Sequence, residues 1–283
     1  MKNMNIQWFP GHMAKARREI EEKLKLVDLI LELVDARAPV SSQNPMLHQV
    51  VKDKPKLVLL MKKDLADQQR TEQWITHFAD QGIPAIGVDV NSQADINQTI
   101  QLAKGLGQKN IDKMKSKGVA PRAIRAMIIG IPNVGKSTLI NRFANKKVAK
   151  IGDRPGITRH QLWIKLNKDF ELLDTPGILW PKFEDEQVGL RLAAIGTIKD
   201  DILALQDIAA YVLTYMKEQY PSLLHARYPI DWEVDDMWEI FIAIGKRHGA
   251  LESGGHVNFD QVATIVLNDL RSGRLGRITL EFS

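Results

Sequence analysis

The residues best suited to chemistry lie together at Gly130-Ile131-Pro132-Asn133-Val134-Gly135-Lys136-Ser137-Thr138, which satisfies G-x-x-x-x-G-K-[ST]. Such a loop cradles phosphates, because glycines let backbone N–H groups turn onto phosphate oxygens and the following helix adds its positive end. On this reading Asn133, Val134, Gly135 and Thr138 line the cradle. Lys136 reaches the β- and γ-phosphates as a catalytic cation, and the Ser137 hydroxyl ligates Mg²⁺. The flanks fit: Ala126 to Ile129 is a short apolar run, and Thr138 to Phe143 has helical spacing of apolar residues. The loop therefore sits between a strand and a helix.

Other segments narrow the ligand. Asp174-Thr175-Pro176-Gly177 matches D-x-x-G, whose aspartate holds Mg²⁺ through water and whose glycine N–H senses a γ-phosphate. Thr158, between the two motifs, suits a threonine that closes on Mg²⁺ in the triphosphate state. Lys62-Lys63-Asp64 matches K-x-D. An aspartate there accepts both N–H groups of a guanine edge, which adenine does not offer. Asn91 and Ser92 fall where a second base-clamping loop belongs. K-x-D is common by chance, so the force lies in each motif ending its own predicted strand.

The elements that must position these groups alternate. Strands are predicted at Leu29 to Val34, Lys56 to Leu60 and Pro84 to Val90, with helices at Pro45 to Val51, Gln68 to Asp80 and Gln93 to Gln108. Trp74, Ile75 and Phe78 mark the inner face of the second helix. Gln161 to Leu166 and Phe170 to Leu173 read as an antiparallel pair. The class is α/β, a mostly parallel sheet with ligands outside the carboxyl ends of its strands. Beyond Pro181 only helical spacing remains, at Val188 to Ile198, Ile202 to Glu218, Trp238 to Arg247 and Phe259 to Arg271. The expected division is residues 1–182, the nucleotide domain, and 183–283, a small all-helical domain. The stretch from Lys104 to Arg125 is basic and reads as a connecting segment, either solvated or in contact with RNA.

The guanine motif precedes the phosphate loop, the reverse of ordinary small GTPases, which implies a circularly permuted P-loop GTPase domain. Its new break follows D-x-x-G, so the segment that answers to γ-phosphate leads directly into the helical domain. The 283 residues leave room for two domains, and Lys plus Arg exceed Asp plus Glu by 39 to 34, a modest bias toward anionic partners. There is no cysteine, which excludes disulfides, thiolate metal sites and cysteine nucleophiles. No apolar run is long enough to span a membrane, and no signal core is visible, so a cytoplasmic protein without membrane partners is expected.

Gln7-Trp8-Phe9-Pro10-Gly11-His12-Met13, Asp35-Ala36-Arg37-Ala38-Pro39, the permuted order and the helical tail together resemble the bacterial ribosome biogenesis GTPase A family. The resemblance covers essentially the whole chain. It implies a GTP hydrolase that binds the immature large (50S) ribosomal subunit, contacts rRNA and ribosomal proteins, and leaves after hydrolysis. It further implies a helical RNA-binding tail; a monomer without a DNA partner is expected. Asn133 matches an asparagine that resembling GTPases use to hold K⁺, although simple loop packing would also account for it.

Two positions depart from common GTPase patterns. Met61 stands where the N-K-x-D pattern has an asparagine that contacts the base and ties the base loop to the phosphate loop. Methionine is expected to do neither, at a cost of about 0.5–1.5 kcal/mol for the lost hydrogen bond, or about 1–3 if a buried partner is stranded. Asp64 should keep guanine selectivity. Ile178 follows Gly177 where Ras-like proteins carry a water-orienting glutamine, so intrinsic hydrolysis should be slow. His12, in a turn beside Pro10-Gly11, is the candidate to position water; a plain turn histidine or an RNA contact is the alternative. Two other functions compete: a metabolite phosphotransferase, for which no acceptor pocket or base is evident, and an RNA-binding module with a structural guanine nucleotide. Arg271, Arg274 and Arg277 would suit the latter.

Overall fold

The computed structural model describes residues 18, 20–51, 54–148, 162–175, 179, 185–200 and 203–283. A helical turn at residues 20–24 (α1) leads into β1 (Leu29–Asp35). Then α2 (Pro45–Val51), β2 (Lys56–Met61), α3 (Gln68–Asp80), β3 (Ala85–Val88), α4 (Gln93–Ser116), β4 (Ile124–Gly130) and α5 (Lys136–Ala144) alternate. β5 (Leu162–Asn167) and β6 (Phe170–Asp174) complete a six-stranded sheet in the order β3-β2-β1-β4-β6-β5. Every neighbouring pair is parallel except β5 with β6.

A parallel sheet needs cover on both faces, and the sequence supplies it. Leu29, Leu31 and Leu33 of β1 share one face with Leu57, Leu59, Met61, Ala126 and Ile128, packed under α4 and α5. Ile30 and Val34 face the other way, with Ile30 under α1 and α2 and Val34 under Trp74 and Phe78 of α3. Burying each such side chain contributes about 1.5–3 kcal/mol. Gly107 of α4 is glycine because a Cβ there would lie 2.4 Å from Ile124 Cγ2, so the helix could not approach β4 as closely with any side chain.

From Glu186 the chain is helical: α6 (Glu186–Ala194), α7 (Leu205–Gln219), α8 (Pro221–Arg227), α9 (Met237–His248) and α10 (Phe259–Arg271). Ile208, Val212, Met216, Phe241, Val262, Val266 and Leu270 form its interior, continuous with the apolar layer under α4 and α5. The short α8 was not foreseen; Pro221 at its first helical position is the signal that marks it.

Two expectations are corrected. The basic stretch from Lys104 is not a plain connector, since α4 continues to Ser116 and carries Lys104, Lys109, Lys113 and Lys115. Its apolar positions Ile96, Ala103, Gly107 and Ile111 keep the helix docked on the sheet while the lysines stay outside. The helix at Val188 to Ile198 also ends early, at Ala194, where Gly196 takes a positive φ of 82°.

Candidate nucleotide-binding site

Because β1 to β4 and β6 run parallel, their carboxyl ends lie along one edge of the sheet. β2 delivers Met61 to Asp64, β3 delivers Asn91 and Ser92, β4 the phosphate loop, and β6 Asp174. Motifs scattered over more than a hundred residues thus lie along one edge of the sheet.

At the phosphate end, Lys136 is 7% exposed and its Nζ donates to Asp174 Oδ1 at 2.6 Å. This places the aspartate of D-x-x-G beside the phosphate loop. Thr175 Oγ donates to the Ile128 carbonyl at 2.7 Å, holding the end of β6 against β4. Asn133 and Gly135 both take left-handed backbone angles (φ 60° and 102°), which turn successive N–H groups into a concave nest. Gly130 has a different role: a Cβ there would lie 3.0 Å from the Leu33 carbonyl, so it serves close strand packing.

α5 opens with Gly135 and no side-chain cap, whereas α3, α4, α6, α9 and α10 are capped by Asp67, Ser92, Asp185, Asp236 and Asn258. The first turn of α5 also lacks an acidic residue. Phosphate oxygens suit those N–H groups, and Val134 is buried behind them. Ser137 and Thr138, half-buried, follow on the first turn.

At the base end, Lys62 is held at φ 59°, a left-handed turn that carries the chain out of β2 and leaves Asp64 exposed. Both lysines of the motif are paired. Lys62 Nζ lies 2.9 Å from Asp35 Oδ2, and Lys63 Nζ 2.7 Å from Asp95 Oδ2. Asp35 is fully buried, which alone would raise its pKa; Arg37 and Lys62 beside it hold it well below the usual carboxylate range instead. Ser92 caps α4 through the Asp95 N–H at 3.3 Å, and Asn91 is exposed beside it. The Lys63–Asp95 pair therefore joins the guanine motif to the second base loop. Arg142 Nε of α5 donates to the Val90 carbonyl at 2.6 Å, joining that loop to the phosphate helix.

Met61 requires a correction. It is fully buried at the end of β2, and its Cε lies 3.5 Å from where a Cβ on Gly135 would stand. The methionine does tie base strand to phosphate loop, by van der Waals contact, although it offers no hydrogen bond. Asn133 reaches elsewhere, its Nδ2 donating to the Gly196 carbonyl at 2.9 Å. Arg271 is engaged internally by the Ala193 and Ala194 carbonyls and by Asp200, which removes it from the set of RNA-facing arginines; Arg274 and Arg277 remain exposed. His12, Thr158, Gly177 and Ile178 lie outside the described residues.

Some site neighbours make contacts that no local sequence pattern assigns. The buried Arg37 grips Asp35 through Nε at 2.8 Å and Nη2 at 2.7 Å. Glu281 accepts from the Val40 and Ser41 N–H groups at 2.7 and 2.9 Å. Arg70 of α3 donates to Tyr215 Oη and to the Thr279 carbonyl, both at 2.8 Å, and lies over the Phe282 ring.

Partial desolvation by its surroundings, and then Asp89, push the Asp64 carboxyl above its ordinary value of 3.8. The carboxylate is the form that accepts from a base, so acidification removes the acceptor. GDP affinity is therefore expected to fall, as pH drops, at a higher pH than an unperturbed aspartate would give, and Asp64→Ala should abolish that dependence. Fluorescent-nucleotide titrations between pH 4 and 8 check this.

The family model described as "50S ribosome-binding GTPase" matches residues 125–232. Ribosome biogenesis GTPase A of Bacillus pumilus is 54% identical over 98% of this chain and 99% of its own. The probable ribosome biogenesis GTPase A of Mycoplasma pneumoniae is 30% identical over 98% and 97%. Among solved structures, GDP-bound TM YlqF superposes with a TM-score of 0.67 at 25% identity, covering 94% of this chain and 99% of that one. GNP-bound YlqF from T. maritima gives 0.65 at 25% identity, over 95% and 98%. The phosphate loop, the aspartate of D-x-x-G and an earlier K-x-D on one sheet edge, with relatives matched end to end, make this chain a GTPase of the ribosome biogenesis GTPase A family.

Proposed function

We propose that this protein binds the immature large ribosomal subunit in its GTP state and is released once GTP is hydrolysed, late in the particle's maturation. It acts as a monomer in the cytoplasm, with rRNA and ribosomal proteins as partners. Residues 1–182 form the nucleotide unit and residues 183–283 carry the particle-binding surface. No helix among the described residues is long and apolar enough to cross a membrane.

In this reading Asp64 selects guanine, and the loops at Met61 to Lys63 and at Asn91 and Ser92 flank the base. Asn133 to Thr138 cradle the phosphates, and Lys136 exchanges Asp174 for the β- and γ-oxygens. Ser137 and Thr158 would hold Mg²⁺, with Asp174 behind a water, and Gly177 would sense the γ-phosphate; the ion would neutralise charge developing on the phosphates. Asn133 remains a candidate for K⁺ through its carbonyl oxygen. His12 is assigned to positioning the attacking water. Ile178 leaves intrinsic turnover slow, and a particle can supply up to about 10⁵-fold, as partners do elsewhere.

The observation that supports switching most is a single turn of the helical region touching both halves of the cleft. The Gly196 carbonyl accepts from Asn133 of the phosphate loop, and the Ile195 carbonyl accepts from Arg37 at 3.4 Å. A shift in either half is felt at one place. With no native cysteine, spin labels can be placed singly at Glu72 of α3 and Glu239 of α9, both exposed. The inter-label distance is expected to differ between GDP and a GTP analogue; equal distances would reject the coupling. Turnover with and without large-subunit particles tests the function itself. Stimulation by immature particles is expected, and a rate unchanged by any particle would count against it.

A further inference from the structure

We propose that the base-reading loop is braced from the helical region, so that the segment Ile278–Glu281, with Arg37, positions Asp64 in place of the asparagine that Met61 replaces. The inference rests on Asp64 reading guanine, as above. Met61 contributes only a methyl contact to the phosphate loop. Besides the bonds within the loop and the Lys62–Asp35 and Lys63–Asp95 pairs, further hydrogen bonds reach it from the other end of the chain. Ile278 N–H donates to the carbonyl of Leu65, the residue after Asp64, at 3.1 Å. Leu65 also packs over Gly273, where a Cβ would lie 2.9 Å from its Cδ2.

Two residues on, the Leu280 N–H donates to the Arg37 carbonyl at 2.6 Å. Thr279 Oγ lies between, accepting from the Asp67 N–H at 3.3 Å and donating to the Ala36 carbonyl at 3.4 Å. The segment thus runs between the β1 loop and the β2 loop, bonded to both. Glu281, 4% exposed, anchors it on the Val40 and Ser41 N–H groups and on the Ser41 hydroxyl, with Arg191 of α6 at 3.3 Å.

From that anchor the path to the base is continuous. Arg37 grips Asp35, Asp35 accepts from Lys62, and Lys62 sits in the turn that presents Asp64. Arg37, Asp35 and Lys62 are buried or half-buried, where their geometry is held, and only Asp64 at the end of the path is exposed. Linkage makes the effect reciprocal: whatever shifts the segment Ile278–Glu281 changes guanine affinity, and nucleotide binding changes the helical region by the same factor.

The test measures GDP and inosine diphosphate binding by full-length Glu281→Ala. Inosine lacks the exocyclic amino group and so offers Asp64 one contact where guanine offers two. A displaced Asp64 should weaken GDP by roughly ten- to hundredfold, the size of one lost charge-assisted hydrogen bond. Inosine diphosphate should weaken less, so that the preference for GDP shrinks. Adding Met61→Asn should restore both. Thr279→Val, which keeps shape and removes only the hydroxyl contacts, is read in the same way if Glu281→Ala does not fold. Unchanged GDP affinity, an equal loss for both nucleotides, or failure of Met61→Asn to restore binding would each overturn the brace. Retained particle-stimulated turnover with an intact GDP preference would overturn it while leaving the proposed function standing.

Discussion

Asp64→Asn is expected to lower GDP affinity by about 10²–10⁴-fold. A carboxylate accepting two guanine N–H groups makes two charge-assisted bonds, each contributing about 1.5–3 kcal/mol, and about 1.4 kcal/mol is tenfold in affinity. Asparagine keeps one acceptor and turns an N–H toward a second donor. It should therefore favour a base with a carbonyl at the exocyclic position, so xanthosine diphosphate should bind the variant better than it binds the parent. The aspartate is exposed on a loop and is engaged in no buried ion pair, unlike Lys62 and Lys63 beside it. The substitution should thus leave the melting temperature nearly unchanged. An undiminished GDP affinity would mean that the base is read elsewhere.

Lys136→Ala should remove nearly all hydrolysis, about 10²–10³-fold at saturating GTP, the usual size of a lost preorganised charge in phosphoryl and acyl transfer. It should also destabilise the nucleotide-free protein. Lys136 and Asp174 are 7% and 5% exposed at their side chains, and breaking one side of such a pair leaves a buried charge, at about 3–5 kcal/mol. The two effects can be separated. Adding Asp174→Asn removes the stranded charge, so thermal stability should recover while hydrolysis stays lost. If Lys136→Ala alone kept full turnover, the phosphate-loop assignment would be wrong.

The parts of this molecule that were legible in the sequence are those in which function fixes residue type at short range. The phosphate loop, D-x-x-G and K-x-D each end a strand, and a parallel sheet brings strand ends to one edge whatever their order in the chain. The apolar runs of β1, β2 and β4 and the face of α3 carrying Trp74 and Phe78 follow from period alone. What escaped is held by contacts between distant residues that any polar side chain could make. Glu281 meets Val40 and Ser41 across about 240 positions, and Arg70 meets Thr279 across 209. Nothing local marks those residues. The length of α4 was missed because its lysines resemble a linker, while small buried residues such as Ala103 and Gly107 give a faint apolar stripe. Met61 reads in sequence as a missing amide; only its place beside Gly135 shows that the methyl group still fills the junction.

The account stands on one guanine nucleotide lying across the sheet edge, from the loop after β2 to the start of α5. A crystal structure of the protein with GDP and Mg²⁺ tests this most directly. Asp64 is expected within hydrogen-bond distance of both guanine N–H groups, with Lys136 at the β-phosphate. A nucleotide whose base lies away from Asp64, or whose phosphates miss the Gly135–Ser137 turn, would contradict it.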